Sequence, residues 1–183
     1  ELGLIGAEAA TRLDRDIYWA ASDGTVRKME GYGGQIISNP SVERAIGSVV
    51  DKSTIRAFGW NARSIGHSFV AFTSPNWTWV YDVREGTWHE RESYGLAFWR
   101  ISAVVEWQGR IIAGDYETGE LYDMRGDLLD EAGRPLVMTC DTPPVDAFPY
   151  PVIMHALSLD VVTGVGRPTP GQPQTQDPEV MIS

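Results

Sequence analysis

Apolar and polar residues alternate along residues 67–92 with the period of two that marks a half-buried β-strand. Phe69, Ala71 and Thr73 alternate with Val70 and Phe72. Beyond a turn at Ser74-Pro75-Asn76, Trp77, Trp79 and Tyr81 alternate with Thr78, Val80 and Asp82. Asp82-Val83-Arg84-Glu85-Gly86 reverses the chain again, with Gly86 supplying the positive φ of a short hairpin loop. Thr87 to Arg91 then returns as a third strand. Three short strands in one antiparallel meander predict a blade of a β-propeller.

The same grammar recurs on either side. Asp16 to Ala21 reads as a strand, Ser22-Asp23-Gly24-Thr25 as a tight turn, and Val26 to Met29 as the return strand; Gln35 to Ser38 follows a glycine cluster at Gly31, Gly33 and Gly34. Asn39 as a capping side chain, Pro40 in the first turn and apolar Val42, Ala45, Ile46 and Val49 predict one short helix, weakened by Gly47 and ending near Val50. Thr54 to Trp60 returns to strand character, with a turn at Asn61-Ala62-Arg63. After a loop from Tyr94 to Trp99 come strands Ile101–Trp107, Arg110–Asp115 and Glu120–Met124, separated by Gln108-Gly109 and by Glu117-Thr118-Gly119.

Three segments thus share one order, with Ile17, Phe69 and Ile111 in equivalent places 52 and then 42 positions apart, near the period of roughly 40–50 residues of propeller blades. Two copies share a phrase: Trp79-Val80-Tyr81-Asp82-Val83-Arg84 matches Glu120-Leu121-Tyr122-Asp123-Met124-Arg125. The fold expected is all-β, a partial or complete β-propeller of antiparallel meanders with one short helix. Residues 1–166 form its propeller-like domain, about three blades or an arc of a larger ring, since closure needs at least about four. Within that span the later strands are Leu136 to Thr139 and His155 to Val162, with a proline-bearing loop between them. Residues 167–179 read as an exposed Pro/Gln-rich loop and 180–183 as the start of a further strand. A start without Met leads one to expect a fragment or a processed chain, and a strand just begun at the end a chain that has been cut.

Composition narrows the function. Hydrophobic residues at 43% and charged residues at 22% suit one sizeable core. A net charge of −10 with 15 scattered Lys and Arg argues against specific or wrapping contact with nucleic acid, and the lack of a long apolar run argues against membrane insertion. The single Cys140 excludes an internal disulfide and reads as a small buried thiol; His67, His89 and His155 show no metal-ligand spacing. The glycines around Tyr32 lack a P-loop Lys and Rossmann spacing, so no nucleotide cofactor is expected.

Catalytic readings find little purchase. The acidic run Asp115, Glu117, Glu120, Asp123, Asp127, Asp130 and Glu131 offers carboxylates for glycoside hydrolysis or calcium, but matches no calcium loop and reads better as a solvated rim. Ser22-Asp23-Gly24-Thr25 and Glu85-Gly86-Thr87-Trp88 are pieces of a sialidase Asp box without its full spacing. His67 and His89 lack a nucleophile at recognisable spacing. Trp77, Trp79 and Tyr81 share one strand face and are expected to be core rather than a sugar platform. No catalytic, metal or cofactor-binding residue is assigned, and the chain is expected not to be an enzyme.

At Trp79-Val80-Tyr81-Asp82, the Trp88 strand, Gly109 through Asp115, Gly119 through Asp123, Leu157 through Asp160 and Thr163-Gly164-Val165, the chain resembles the tail accessory factors, or packaged-DNA stabilisation proteins, of short-tailed phages. The helix Ser41 to Val50 is similar in order and spacing, so the resemblance covers most of residues 1–166; the loop after Gly166 departs from it. The resemblance implies a non-enzymatic structural protein of the virion tail, assembled in the cytoplasm of the bacterial host. Its partners would be its own copies in a ring, the portal adaptor above and the tail needle below. The alternative is a carbohydrate-binding or glycoside-hydrolase-like β-propeller.

Overall fold

A computed structural model describes residues 3–31, 33–126, 128, 130–139, 149–153, 156 and 158. The chain divides into two compact units, Glu1–Asp127 and Leu128–Ser183. The first unit is all-β, built from three antiparallel meanders in succession. Sheet 1 is β1 (Ala10–Leu13), β2 (Asp16–Ala20), β3 (Val26–Glu30) and β4 (Gly33–Ile36), joined in that order. Sheet 2 is β5 (Arg56–Ala62), β6 (His67–Ser74), β7 (Trp77–Asp82) and β8 (Thr87–Glu90). Sheet 3 is β9 (Ile101–Trp107), β10 (Arg110–Asp115) and β11 (Leu121–Met124). The first strands begin at Ala10, Arg56 and Ile101, 46 and 45 residues apart, and they lie side by side, β1 against β5 and β5 against β9.

Local chemistry explains the elements. Two-residue turns close β6–β7 at Pro75-Asn76 and β9–β10 at Gln108-Gly109. The latter has φ of 50° and 75°, the doubly left-handed turn whose twist suits a hairpin. The helix α1 (Pro40–Ser48) starts where Asn39 Oδ1 accepts from the amides of Ser41 and Val42, with Pro40 in its first turn where its missing N–H costs nothing. Val42 and Ile46, one turn apart, are its fully buried residues and bind it to the core. The indoles of sheet 2 fix the linker: Trp77 Nε1 donates to Ala45 O at 3.0 Å, and Trp88 Nε1 to Ile37 O at 2.7 Å.

Strand register sorts the side chains into two cores. One face of sheet 1, carrying Leu13, Tyr18, Ala20 and Val26, packs on the face of sheet 2 that carries Val70, Phe72, Trp79, Tyr81 and Trp88. Gly59 permits this approach, because a Cβ there would lie 3.3 Å from the Leu13 side chain and 3.3 Å from the Phe69 carbonyl. The opposite face of sheet 2, with Phe58, Trp60, Phe69, Ala71 and Val80, packs on Val104, Ile111, Ala113, Tyr122 and Met124 of sheet 3. Trp77, Trp79 and Tyr81 accordingly lie in the first core, as their shared face predicts.

Elsewhere the structure amends the sequence reading. Strand β1 was not foreseen: Ala10-Thr11-Arg12-Leu13 lacks a run of β-branched or aromatic residues and is a strand because β2 and β5 flank it. The sheet containing residues 67–90 has four strands, not three, since β5 joins it and continues through Ala62; the turn falls at 63–66. In the second unit Leu136 to Thr139 is not a strand. The hairpin there is β12 (Asp130–Glu131) with β13 (Arg134–Pro135), and Leu136, Val137 and Met138 lie exposed without a described ladder partner. An apolar run becomes a strand only where a neighbour takes its backbone hydrogen bonds. Cys140, most of the strand expected at His155–Val162, the 167–179 loop and residues 180–183 lie outside the described residues.

Candidate functional site

The densest polar chemistry sits where sheets 2 and 3 meet. His67, first residue of β6, donates from Nδ1 to Asp82 Oδ2 at 2.5 Å. Asp82, last residue of β7, uses Oδ1 to accept from the amides of Arg84 and Glu85, closing the loop that ends at Gly86. Burial pushes the Asp82 carboxyl upward, but the bond from His67 and the two amides outweigh it and hold the group below its ordinary range. Phe69 carries both histidines: His67 stacks on it at 6.0 Å and His89 meets it edge-on at 5.9 Å. The Arg91 guanidinium lies 5.1–5.3 Å from the rings of Trp60, Phe69 and Trp99 and donates to His89 Nε2 at 3.2 Å.

That last bond requires a neutral His89, because only an unprotonated Nε2 can accept. Burial, then the charge of Arg91, hold its pKa below the usual histidine value. The unfolded chain therefore binds a proton at His89 in a pH range where the folded chain does not, so stability falls as pH drops below about 6.5. Replacing His89 with Gln is expected to flatten urea-unfolding midpoints between pH 7 and pH 5. A wild-type midpoint that does not change over that interval would contradict this.

The His67–Asp82 pair is one of three. Lys28 Nζ lies 2.8 Å from Asp16 in sheet 1, and Arg110 lies 3.3 Å from Asp123 in sheet 3. In every sheet the charged third-strand residue stands opposite Tyr18, Phe69 or Ile112, and its partner lies two residues earlier on the second strand. The pairs are thus the same diagonal bond in the same register, built from different residues. The Tyr-Asp phrase occupies matched third strands, β7 and β11. Ile17, Phe69 and Ile111 all fall on second strands, but the pairs match Tyr18, Phe69 and Ile112. Ile17 and Ile111 are therefore one residue off and on the opposite face.

The acidic run is drawn into similar structural work. Asp115 is buried, accepts from the amides of Glu117 and Thr118 at 2.8 Å each, and pairs with Arg100 Nε at 2.5 Å. Glu120 accepts from the Tyr122 hydroxyl at 2.7 Å, and Asp123 holds Arg110. Among the described residues no three His, Cys, Asp or Glu side chains come together as metal ligands, and no helix is long and apolar enough to cross a membrane. No protein-family model matches the chain, and no curated protein matches it.

Sequence reasoning singled out His67, His89 and the carboxylates but not Arg91 or Arg100, which the fold sets against three aromatic rings and against a buried Asp. Neither cation has a local signature: Arg91 meets Trp60 and Trp99, and Arg100 meets Asp115, only through the stacking of sheets 2 and 3 and the turn of β10. What the arrangement does chemically is fasten strands and loop ends. His67, His89, Asp16, Asp82, Asp115 and Asp123 are each bonded to a charged partner, and Glu120 to the hydroxyl of Tyr122.

Proposed function

We propose that the chain is part of a non-enzymatic structural protein of a phage or prophage tail, a ring-forming hub or plug that retains packaged DNA and joins the portal adaptor to the tail needle. The observation that carries this reading is the repeated meander. Three sheets stack face to face at a 45–46 residue spacing, and their ionisable side chains serve the repeat's own register. Of the phrases that resemble tail accessory factors, those at residues 79–82, at the Trp88 strand, at 109–115 and at 119–123 fall on or beside β7, β8, β10 and β11, and those from Leu157 onward lie, apart from Ser158, outside the described residues. The formal charge of −10 fits weakly: a channel lined with negative groups repels phosphates and lets DNA pass without gripping it.

The carbohydrate reading draws less support, because the aromatic strand Trp77–Tyr81 that invited it is packed between sheets 1 and 2. The test is genetic. Particles assembled without the parent gene are expected to fill with DNA and then leak it, and to lack the needle. Particles that keep their DNA and carry a complete tail would reject the proposal.

A further inference from the structure

The register of the three sheets defines a direction. Call forward the face carrying Tyr18, Phe69 or Ile112, and rear the opposite face. The forward face of sheet 1 packs on the rear face of sheet 2, and the forward face of sheet 2 on the rear face of sheet 3. Among the described residues one forward face and one rear face are left over. On the forward face of sheet 3, Val105, Trp107 and Leu121 stand 58, 59 and 74% exposed; on the rear face of sheet 1, Ile17, Met29 and Ile36 stand 43, 39 and 51% exposed. Each trio lies on one side of its ladder, Val105 opposite Ile112, Trp107 opposite Arg110 and Leu121 opposite Gly114 in sheet 3. In sheet 1, Ile36 faces Arg27, which faces Trp19, whose side of the sheet Ile17 and Met29 share.

Large apolar residues grouped on an exposed sheet face mark an interaction surface, and the two internal junctions show what such faces take. A forward face takes a rear face, with aliphatic and aromatic side chains interleaved; between sheets 2 and 3 the charged groups are the diagonal pair, Arg91 against three aromatic rings, and Arg63 paired with Glu106. We propose that the forward face of sheet 3 docks on the rear face of sheet 1 of a second copy of this chain. The contact is head-to-tail, so it repeats until the ring closes. Three described sheets in each of two copies make six, within the about four to eight blades with which propellers close, and each copy gives one forward and one rear face. The inference rests on strand register and exposure, independently of any role in a phage.

The experiment is sedimentation equilibrium on the 183-residue chain at micromolar to tens of micromolar concentration, where a species of twice the 20.2 kDa chain mass is expected. A forward-blocked variant, Trp107→Glu with Leu121→Glu, and a rear-blocked variant, Ile17→Glu with Ile36→Glu, are each expected to be monomeric. Mixed together they are expected to regain a one-to-one pair held at a single junction and weaker than the unmodified dimer, because the intact rear face of the first meets the intact forward face of the second while the other junction stays open. Hydroxyl-radical footprinting of the unmodified chain supplies a readout that needs no variant: Trp107 and Met29 are expected to be protected together as concentration rises. A monomeric unmodified chain would overturn the proposal. So would a dimer indifferent to both variants, or variants that fail to complement, since same-face pairing cannot be rescued by mixing. None of these outcomes bears on DNA retention, so the two proposals fail separately.

Discussion

Trp60→Ala is expected to destabilise the first unit by about 3–5 kcal/mol, the range for deleting a buried aromatic residue. Trp60 is 2% exposed and is the hub of the core between sheets 2 and 3, with ring centroids 6.0 Å from Phe58, 5.3 Å from Phe69 and 5.6 Å from Trp99. Its removal opens a cavity that these rings, held on three different segments, cannot jointly fill. It also takes one of three aromatic faces from the Arg91 guanidinium, a favourable contact when desolvated. Against a total stability of about 5–15 kcal/mol, the melting temperature should fall by roughly 6–20 °C. Trp60→Phe, which keeps a ring in the site, should lose less than half as much in urea unfolding. Equal losses from both substitutions would mean that the indole's edge, not the buried ring area, holds the site.

The parts of this core legible in the sequence were those with a local cause. Strands β9 and β10 could be bounded to the residue, because Ile101–Trp107 and Arg110–Asp115 are separated only by Gln108-Gly109, whose two-residue turn sets the register up to a bulge at Gly114–Asp115. The helix was visible in Asn39-Pro40 because a cap and a first-turn proline act on their own neighbours. Strand β1 was hidden because its alternation is set by the sheets around it: Leu13 faces the core against Gly59 while Arg12 faces away. The candidate site followed the same division. His67 and Asp82 sit 15 residues apart on two paired strands and could be seen as polar strand ends, but their bond depends on the diagonal of the ladder. That diagonal also revealed the repeat more sharply than residue identity did, since Asp16–Lys28, His67–Asp82 and Arg110–Asp123 share geometry and no common residue pair.

Asp115→Asn is the second large effect and should announce itself through pH. The substitution keeps an oxygen that can accept from the Glu117 and Thr118 amides, so the turn before Gly119 retains its bonds, but the charged bond between Asp115 and Arg100 is lost. Breaking a fully buried pair costs about 3–5 kcal/mol. Asp115 is that deeply buried, whereas Arg100 keeps 23% of its side chain in water and rests 5.2 Å from the Tyr122 ring. The expected loss at pH 7 is therefore smaller, about 2–4 kcal/mol. Burial drives the Asp115 carboxyl up, yet the Thr118 amide, Arg100 and the Glu117 amide together hold it far below its ordinary range. A carboxylate whose folded pKa lies below its unfolded value stabilises fully above about pH 4–5 and progressively less as the unfolded chain takes up its proton below that. The gap between wild type and Asp115→Asn should thus be widest at neutral pH and shrink steadily from pH 5 to pH 2, as the unfolded wild-type chain takes up a proton that the folded carboxylate does not. Urea midpoints at pH 7 and pH 2.5 measure both ends. A gap that stays constant across that range would locate the cost in the shape of the amide rather than in the charge it removes.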